Sequence, residues 1–341
     1  SVKRKKKMKN KKKIFLTGSE GFIGSHLIEY LVKSGYKVKA LVLYNSFNNI
    51  GWLRNVDKSI LKSVEIVRGD IRDKEFLEKN IGDCKVIIHL AALIGIPYSY
   101  EATRSYIDVN ILGTLNLLEI SRKKKIEKFI QTSTSEVYGT AQYVPMDEKH
   151  PKIPQSPYAA TKSAADQLAM SYYFSHNLPV TVIRPFNIFG PRQSMRAVIP
   201  TIINQAILKK NKINLGTINS KRDYTFVNDA VRAFEKCINN KKIIGKTINI
   251  GTNFERSIKQ IVNLISFISK TKIKIIVDKK RIRPLKSEVM RLRTSNNLAK
   301  KLLNWKPVFT GRNGFKKALE ITFHWYKKNK LNDLNINDYI I

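Results

Sequence analysis

The stretch Lys13-Ile14-Phe15-Leu16-Thr17-Gly18-Ser19-Glu20-Gly21-Phe22-Ile23-Gly24 decides the fold. Its first five residues read as a short buried strand, and three glycines then punctuate a tight turn. An amphipathic helix follows from about Ser25 to Lys33, Gly35 ends it, and Tyr36 to Leu43 reads as a second strand. The unit is strand, glycine turn, helix, strand. Glycines there let the backbone approach a pyrophosphate, and the helix start offers free N–H groups and the positive end of its dipole. Gly18, Gly21, Phe22, Ile23 and Gly24 are therefore candidate dinucleotide-binding residues. The glycine spacing means little by itself and gains weight from lying between a strand and a helix.

The same alternation continues downstream. Val64 to Val67 reads as a third strand, Lys85 to Leu90 as a continuous apolar strand buried on both faces, Lys128 to Ile130 as another, and Val180 to Ile183 as one more. Helices are expected over 101–122, from Tyr158 to about His176, over 199–209, from Asn228-Asp229 (as the cap) to about Asn239, and over 257–268. Strands alternating with helices indicate an α/β fold, a Rossmann-type doubly wound parallel sheet. The expected division is a basic, mobile run over 1–12, a dinucleotide-binding domain over 13–186 with interleaved segments at about 224–252, a smaller substrate-binding lobe over 187–330, and a tail over 331–341. Asp70, followed by Ile71, either bonds an adenine amino group or caps the helix from about Asp73. Ala91 and Ala92 supply small side chains where a cofactor would need room. The end of the second strand, Leu43-Tyr44-Asn45-Ser46, lacks the acid that commonly holds the adenosine ribose of NAD, and the nearest arginine is Arg54. Asn45 or a backbone group is left to bond the ribose, and the reading leans to NAD over NADP.

Composition narrows the classes. Apolar residues make up 43% of 341, ample for a core, and no run approaches the roughly 20 apolar residues of a membrane span. Cys84 and Cys237 stand alone, so no disulfide framework is indicated and a cytoplasmic location is expected. Five scattered histidines suggest no metal site, and His89 reads as a core residue. The net charge of +37 would suit nucleic acid, yet the lysines scatter and no nucleic-acid-binding signature accompanies them. Basicity equally steers an anionic nucleotide substrate. No nucleic-acid or membrane partner is expected.

The chemistry gathers in Ser133-Thr134-Ser135-Glu136 and Tyr158-Ala159-Ala160-Thr161-Lys162. Tyr158 and Lys162 are four residues apart, on one helix face. A free tyrosine ionises near about 10, and a neighbouring ammonium would bring that down toward use as a base. Glu136 is a candidate second base for a carbon-bound proton beside a new carbonyl. Thr134 and Ser135 are candidate donors to that carbonyl or to a leaving hydroxyl; alternatively they only cap a backbone end.

These motifs, with His89-Leu90-Ala91-Ala92, Arg184-Pro185-Phe186-Asn187 and Arg222-Asp223-Tyr224-Thr225-Phe226-Val227, resemble the extended short-chain dehydrogenase/reductase enzymes of nucleotide sugars from about Lys12 to Tyr326. The resemblance implies an NAD-dependent enzyme and a homodimer. Glu136 is similar to the glutamate that 4,6-dehydratases use on the C5 proton, where 4-epimerases usually lack an acid. The dTDP-glucose 4,6-dehydratases carry an aspartate in place of Ser135. Thr134-Ser135-Glu136 is instead similar to GDP-mannose 4,6-dehydratase and UDP-glucuronate decarboxylase. Either Ser135 relays the leaving proton through water or Glu136 returns the one it took. The stretches 43–48, 91–100, 136–145 and 281–288 resemble the 4,6-dehydratase of legionaminic acid biosynthesis, which acts on a UDP- or GDP-linked N-acetylglucosamine. That likeness implies Asn187, Arg222, Arg283 and Glu288 as substrate-binding residues.

Overall fold

A computed structural model describes residues 11–208 and 211–329 of the chain. The expected basic run and the tail after residue 330 lie outside the described residues, apart from residues 11 and 12. Among the described residues thirteen strands follow in order: β1 (Lys13–Thr17), β2 (Lys37–Leu43), β3 (Val64–Gly69), β4 (Val86–His89), β5 (Lys128–Thr132), β6 (Val180–Pro185), β7 (Ile188–Phe189), β8 (Lys212–Leu215), β9 (Lys221–Asp223), β10 (Thr225–Phe226), β11 (Lys246–Ile250), β12 (Glu255–Ser257) and β13 (Lys274–Val277). Seven form one parallel sheet in the order β11-β6-β5-β4-β1-β2-β3. Strand order reverses around β1, so a crevice opens past the carboxyl ends of β1 and β4, where open α/β sheets bind ligands.

Alternation along the strands builds a core on each face of the sheet. Ile14, Leu16, Val86, Ile88 and Ile130 pack on the side of helices Phe22–Lys33 and Val227–Ile238. Phe15, Ile87, Phe129 and Val180 pack on the other side, under helices Lys74–Ile81, Gly113–Lys123 and Pro157–His176. The remaining strands pair as β10 with β7, β12 with β9 and β13 with β8, beside helices Val198–Ile207 and Ile258–Ser269. β11 returns from that region to pair with β6, register Ile248 opposite Ile183. No described helix is long and apolar enough to cross a membrane.

Four local expectations differ from the structure. The first helix begins at Phe22 with Gly21 as its extended N-cap, a turn earlier than Ser25, because the glycine turn feeds directly into it. The single helix over 101–122 is broken: Ile96–Glu101 and Thr103–Tyr106 meet at Ala102, and a π-helical turn spans Ile107–Leu112 before Gly113–Lys123. The wider turn coincides with buried Asn110, which exchanges hydrogen bonds with both backbone groups of Leu93 and donates to Thr161. Asp73, not Asp70, caps the helix that follows β3, accepting from Phe76 N–H at 2.9 Å. Asp229 does not cap its helix, which already runs from Val227; buried completely, it accepts from the N–H groups of Val308 and Phe309 and ties down that segment.

Candidate active site

One cleft of about 1340 Å³ runs across the carboxyl ends of the strands. The glycine turn forms its floor. Gly18 has φ +66°, and a Cβ there would fall 2.7 Å from Ala91 N; a Cβ on Gly24 would fall 2.2 Å from Gly18 O. Only glycine lets this turn close against the end of β4. The cradle, the first turn of the helix Phe22–Lys33 with its free N–H groups, and Ala91 and Ala92 all line the cleft, which fits a dinucleotide pyrophosphate.

Tyr158 and Lys162 line the same cleft from the first turns of the helix Pro157–His176, whose N-cap Ser156 accepts from Ala159 N–H at 3.1 Å. Both are buried. Burial pushes the phenol of Tyr158 upward; the Thr134 side chain eases that shift and the Glu136 charge adds to it. The expected lowering by Lys162 is therefore not what the protein alone produces. Lys162 Nζ donates to Thr132 O at 2.5 Å, and burial pulls its pKa down to about 8, with Asp166 opposing. The ammonium is present at neutral pH and is lost as pH rises through about 8.

Glu136 sits on a short 3-10 turn, Ser135–Tyr138, just past β5. Thr134 caps that turn through its side chain, accepting from Glu136 N–H at 3.3 Å. Glu136 and Ser135 are both buried, and Thr134, Ser135 and Glu136 all line the cleft beside Tyr158. Behind them lies a network that the sequence did not reveal. Arg184 donates to Asp166 at 2.9 Å, to the Tyr138 hydroxyl at 2.7 Å and to Ser133 Oγ at 3.2 Å. Ser133 also donates to Asp166, and Tyr138 donates to Asn249 Oδ1 at 2.8 Å. This network fixes the backbone on which Thr134 to Glu136 stand.

Also lining the cleft, Arg222 on β9 pairs with Glu288 at 3.3 Å, both buried. Asp223 next to it accepts from the N–H groups of Thr252, Asn253 and Thr294, which holds β9 in place. Asn187 and half-buried Arg283 also line the cleft, so all four residues implied for the substrate are among its lining. His89 is satisfied between Thr17 and Thr114, and burial lowers its pKa to about 3, a neutral core histidine. Among the described residues no group of three His, Cys, Asp or Glu is placed to hold a metal ion.

A family model described as GDP-mannose 4,6 dehydratase matches residues 15–318. The chain belongs to that family. As a member of the GDP-mannose 4,6-dehydratase family it falls among the extended short-chain dehydrogenase/reductases, and its relatives span three chemistries. The structure is similar to a dTDP-glucose 4,6-dehydratase from Bacillus anthracis in complex with NAD, at 31% identity and TM-score 0.80 over 94% of this chain and 98% of that one. It is similar to a UDP-glucose 4-epimerase from Thermotoga maritima with UDP-glucose, at 27% identity and TM-score 0.83 over 93% and 99%. The sequence is also 34% identical to a UDP-N-acetyl-alpha-D-glucosaminuronate decarboxylase of Bacillus cytotoxicus, over 78% of this chain and 83% of that one.

Within this family member the residues around the end of β2 depart from expectation. Asn45 spends its amide on Leu43 O and Asn49 O and accepts from Asn49 N–H, closing its own loop rather than facing a ribose. Asp70 lines the cleft with Ile71, but its carboxylate is gripped by Arg72, with contacts of 2.6 and 3.0 Å, and is held below the usual carboxylate range. Glu20, inside the glycine turn, was missed in the sequence; its Oε1 accepts from Leu43 N–H at 3.1 Å.

Proposed function

We propose that the chain catalyses NAD-dependent 4,6-dehydration of a UDP- or GDP-linked N-acetylglucosamine to the 4-keto-6-deoxy sugar nucleotide. The observation that carries this reading is the buried Glu136 carboxylate in the same cleft as Tyr158 and Lys162. Oxidation and reduction at one carbon need one base. Dehydration across the neighbouring bond needs a second, a role we assign to Glu136.

Gly18, Gly21, Phe22, Ile23, Gly24, Ala91 and Ala92 would hold the dinucleotide, with Lys162 on its nicotinamide ribose. When bound, NAD would accept hydride from C4, return it to C6, and place a positive ring beside the phenol. Tyr158 takes the C4 hydroxyl proton, its buried phenol being drawn down by that charge. Thr134 donates to the C4 oxygen. Once C4 is a carbonyl, the C5 hydrogen is acidic and Glu136 removes it, a role worth about 10²–10⁴-fold. The C6 hydroxyl leaves as water, taking a proton relayed through Ser135 or the one Glu136 removed. C5 then regains a proton from solvent as hydride reaches C6, and Tyr158 releases its own proton to solvent. Asn187, Arg222 and Arg283 would contact the nucleotide diphosphate or the sugar, a guanidinium fork suiting bidentate donation to phosphate; Glu288, also expected at the substrate, pairs with Arg222.

N-acetylglucosamine rests on the resemblance of 43–48, 91–100, 136–145 and 281–288 to the legionaminic acid subgroup. A second reading, decarboxylation of a nucleotide-linked uronic acid, is favoured by the Bacillus cytotoxicus relative and shares the first oxidation. Incubation with UDP- and GDP-N-acetylglucosamine separately, followed by mass spectrometry, tests the proposal. A product lighter by one water is expected; unchanged mass with both substrates refutes it, and carbon dioxide release from a uronic acid nucleotide supports the second reading.

A further inference from the structure

The end of β2 carries no acid, and its exposed Leu43 and Tyr44 and loop-closing Asn45 offer nothing to a ribose. A carboxylate nonetheless stands at that strand end, supplied from elsewhere in the chain. Glu20 Oε1 accepts from Leu43 N–H, and the Glu20 carbonyl accepts from Trp52 N–H at 2.9 Å. Gly51, at φ +54°, packs so closely that a Cβ there would lie 2.6 Å from Glu20 O. The backbone of Glu20 is thus clamped between β2 and the turn at 51–52, and the residue lines the cleft. Its second oxygen, Oε2, is buried without any hydrogen-bond partner among the described residues.

A staple to β2 accounts for Oε1 and leaves Oε2 unexplained. A buried acceptor without a donor is costly, and native proteins keep few of them. We propose that Glu20 is the residue that receives the adenosine ribose hydroxyls of NAD, taking the role that the end of β2 leaves vacant. The inference rests on the NAD-dependent reading above. Two vicinal hydroxyls are donors that a carboxylate clamped at this point can accept from. A 2′-phosphate would set a second anion against it, so the same residue selects NAD over NADP. Arg72 does not offset this, since Asp70 holds it; Arg54, exposed at the rim of the cleft, is the cation a phosphorylated ribose would find once Glu20 is neutral.

The test is equilibrium binding of NAD and of NADP, by calorimetry, to purified protein freed of copurified nucleotide. Glu20→Gln keeps an acceptor for Leu43 N–H, and its thermal unfolding midpoint checks that the turn survives. The native protein is expected to prefer NAD, and Glu20→Gln to lose about tenfold or more in NAD affinity, as for a hydrogen bond to a charged group, while NADP binding holds or improves. A folded variant with the native NAD affinity and preference overturns the assignment, as does an equal loss for both dinucleotides, which would mark a merely structural role. Native protein that prefers NADP overturns it while leaving the proposed chemistry standing. Native protein that binds neither dinucleotide overturns the proposed function itself.

Discussion

Asp166→Asn tests the buried network and the chemistry in front of it together. Asp166 lies one turn beyond Lys162 on the same helix, and its side chain and that of Arg184 are each 3% exposed. The substitution keeps the shape and removes the charge, so the buried Arg184 guanidinium loses its counter-charge and keeps only neutral partners: Tyr138, Ser133 and the amide oxygen at the Oδ2 position. Asp166 Oδ1 has no partner, so the amide nitrogen of an asparagine would find no acceptor there. Breaking a buried pair from one side costs about 3–5 kcal/mol. At about 2 °C per kcal/mol for a chain of this size, the thermal midpoint should drop by roughly 6–10 °C. The second consequence is electrostatic. Lys162 is held at about 8 by burial against the opposing pull of Asp166. Its folded pKa is lowered, so the ammonium exists below about 8 and disappears above it. Removing the aspartate charge lowers that value further and moves the alkaline fall of kcat/KM to lower pH. Differential scanning calorimetry and a pH–rate profile read the two effects. A variant with the native midpoint and native alkaline limb would refute the reasoning on both counts.

Other perturbations separate the parts of the site. Glu136→Gln should fold and bind dinucleotide as the native protein does yet lose about 10²–10⁴-fold in turnover, read by product mass spectrometry; unchanged turnover removes Glu136 from the mechanism. Gly24→Ala drives a Cβ to within 2.2 Å of Gly18 O, and calorimetry should find NAD affinity lost with the thermal midpoint lowered. Arg283→Ala, which removes a half-buried guanidinium from the cleft, should raise KM for the sugar nucleotide by about tenfold or more, with kcat little changed; a fall in kcat alone would place Arg283 elsewhere.

The sheet was legible because parallel strands buried on both faces leave unbroken apolar runs such as Val86-Ile87-Ile88, and because the glycine turn marks where the first strand meets a helix. Tyr158 and Lys162 were legible because helix periodicity alone sets their common face. The network behind them was not. Asp166 and Arg184 belong to a helix and to the strand after it, and a buried ion pair looks in sequence like two surface charges. Arg222 and Glu288 lie further apart still and meet only through the pairing around β9. Glu20 was hidden for another reason. The search for a ribose acid follows the end of β2, whereas the register of β1 on β2, with Thr17 opposite Leu41, brings the turn after β1 to the same point. The phenol was misjudged because sequence spacing reports the neighbouring ammonium and says nothing of burial, which dominates.

The most direct test of the account is turnover in heavy water with the position of deuterium in the product read by nuclear magnetic resonance. Removal of the C5 proton by Glu136, followed by reprotonation of C5 from solvent, predicts deuterium at C5 in a product lighter by one water. A turned-over sugar that has lost no water and carries its original hydrogen at C5 would contradict it.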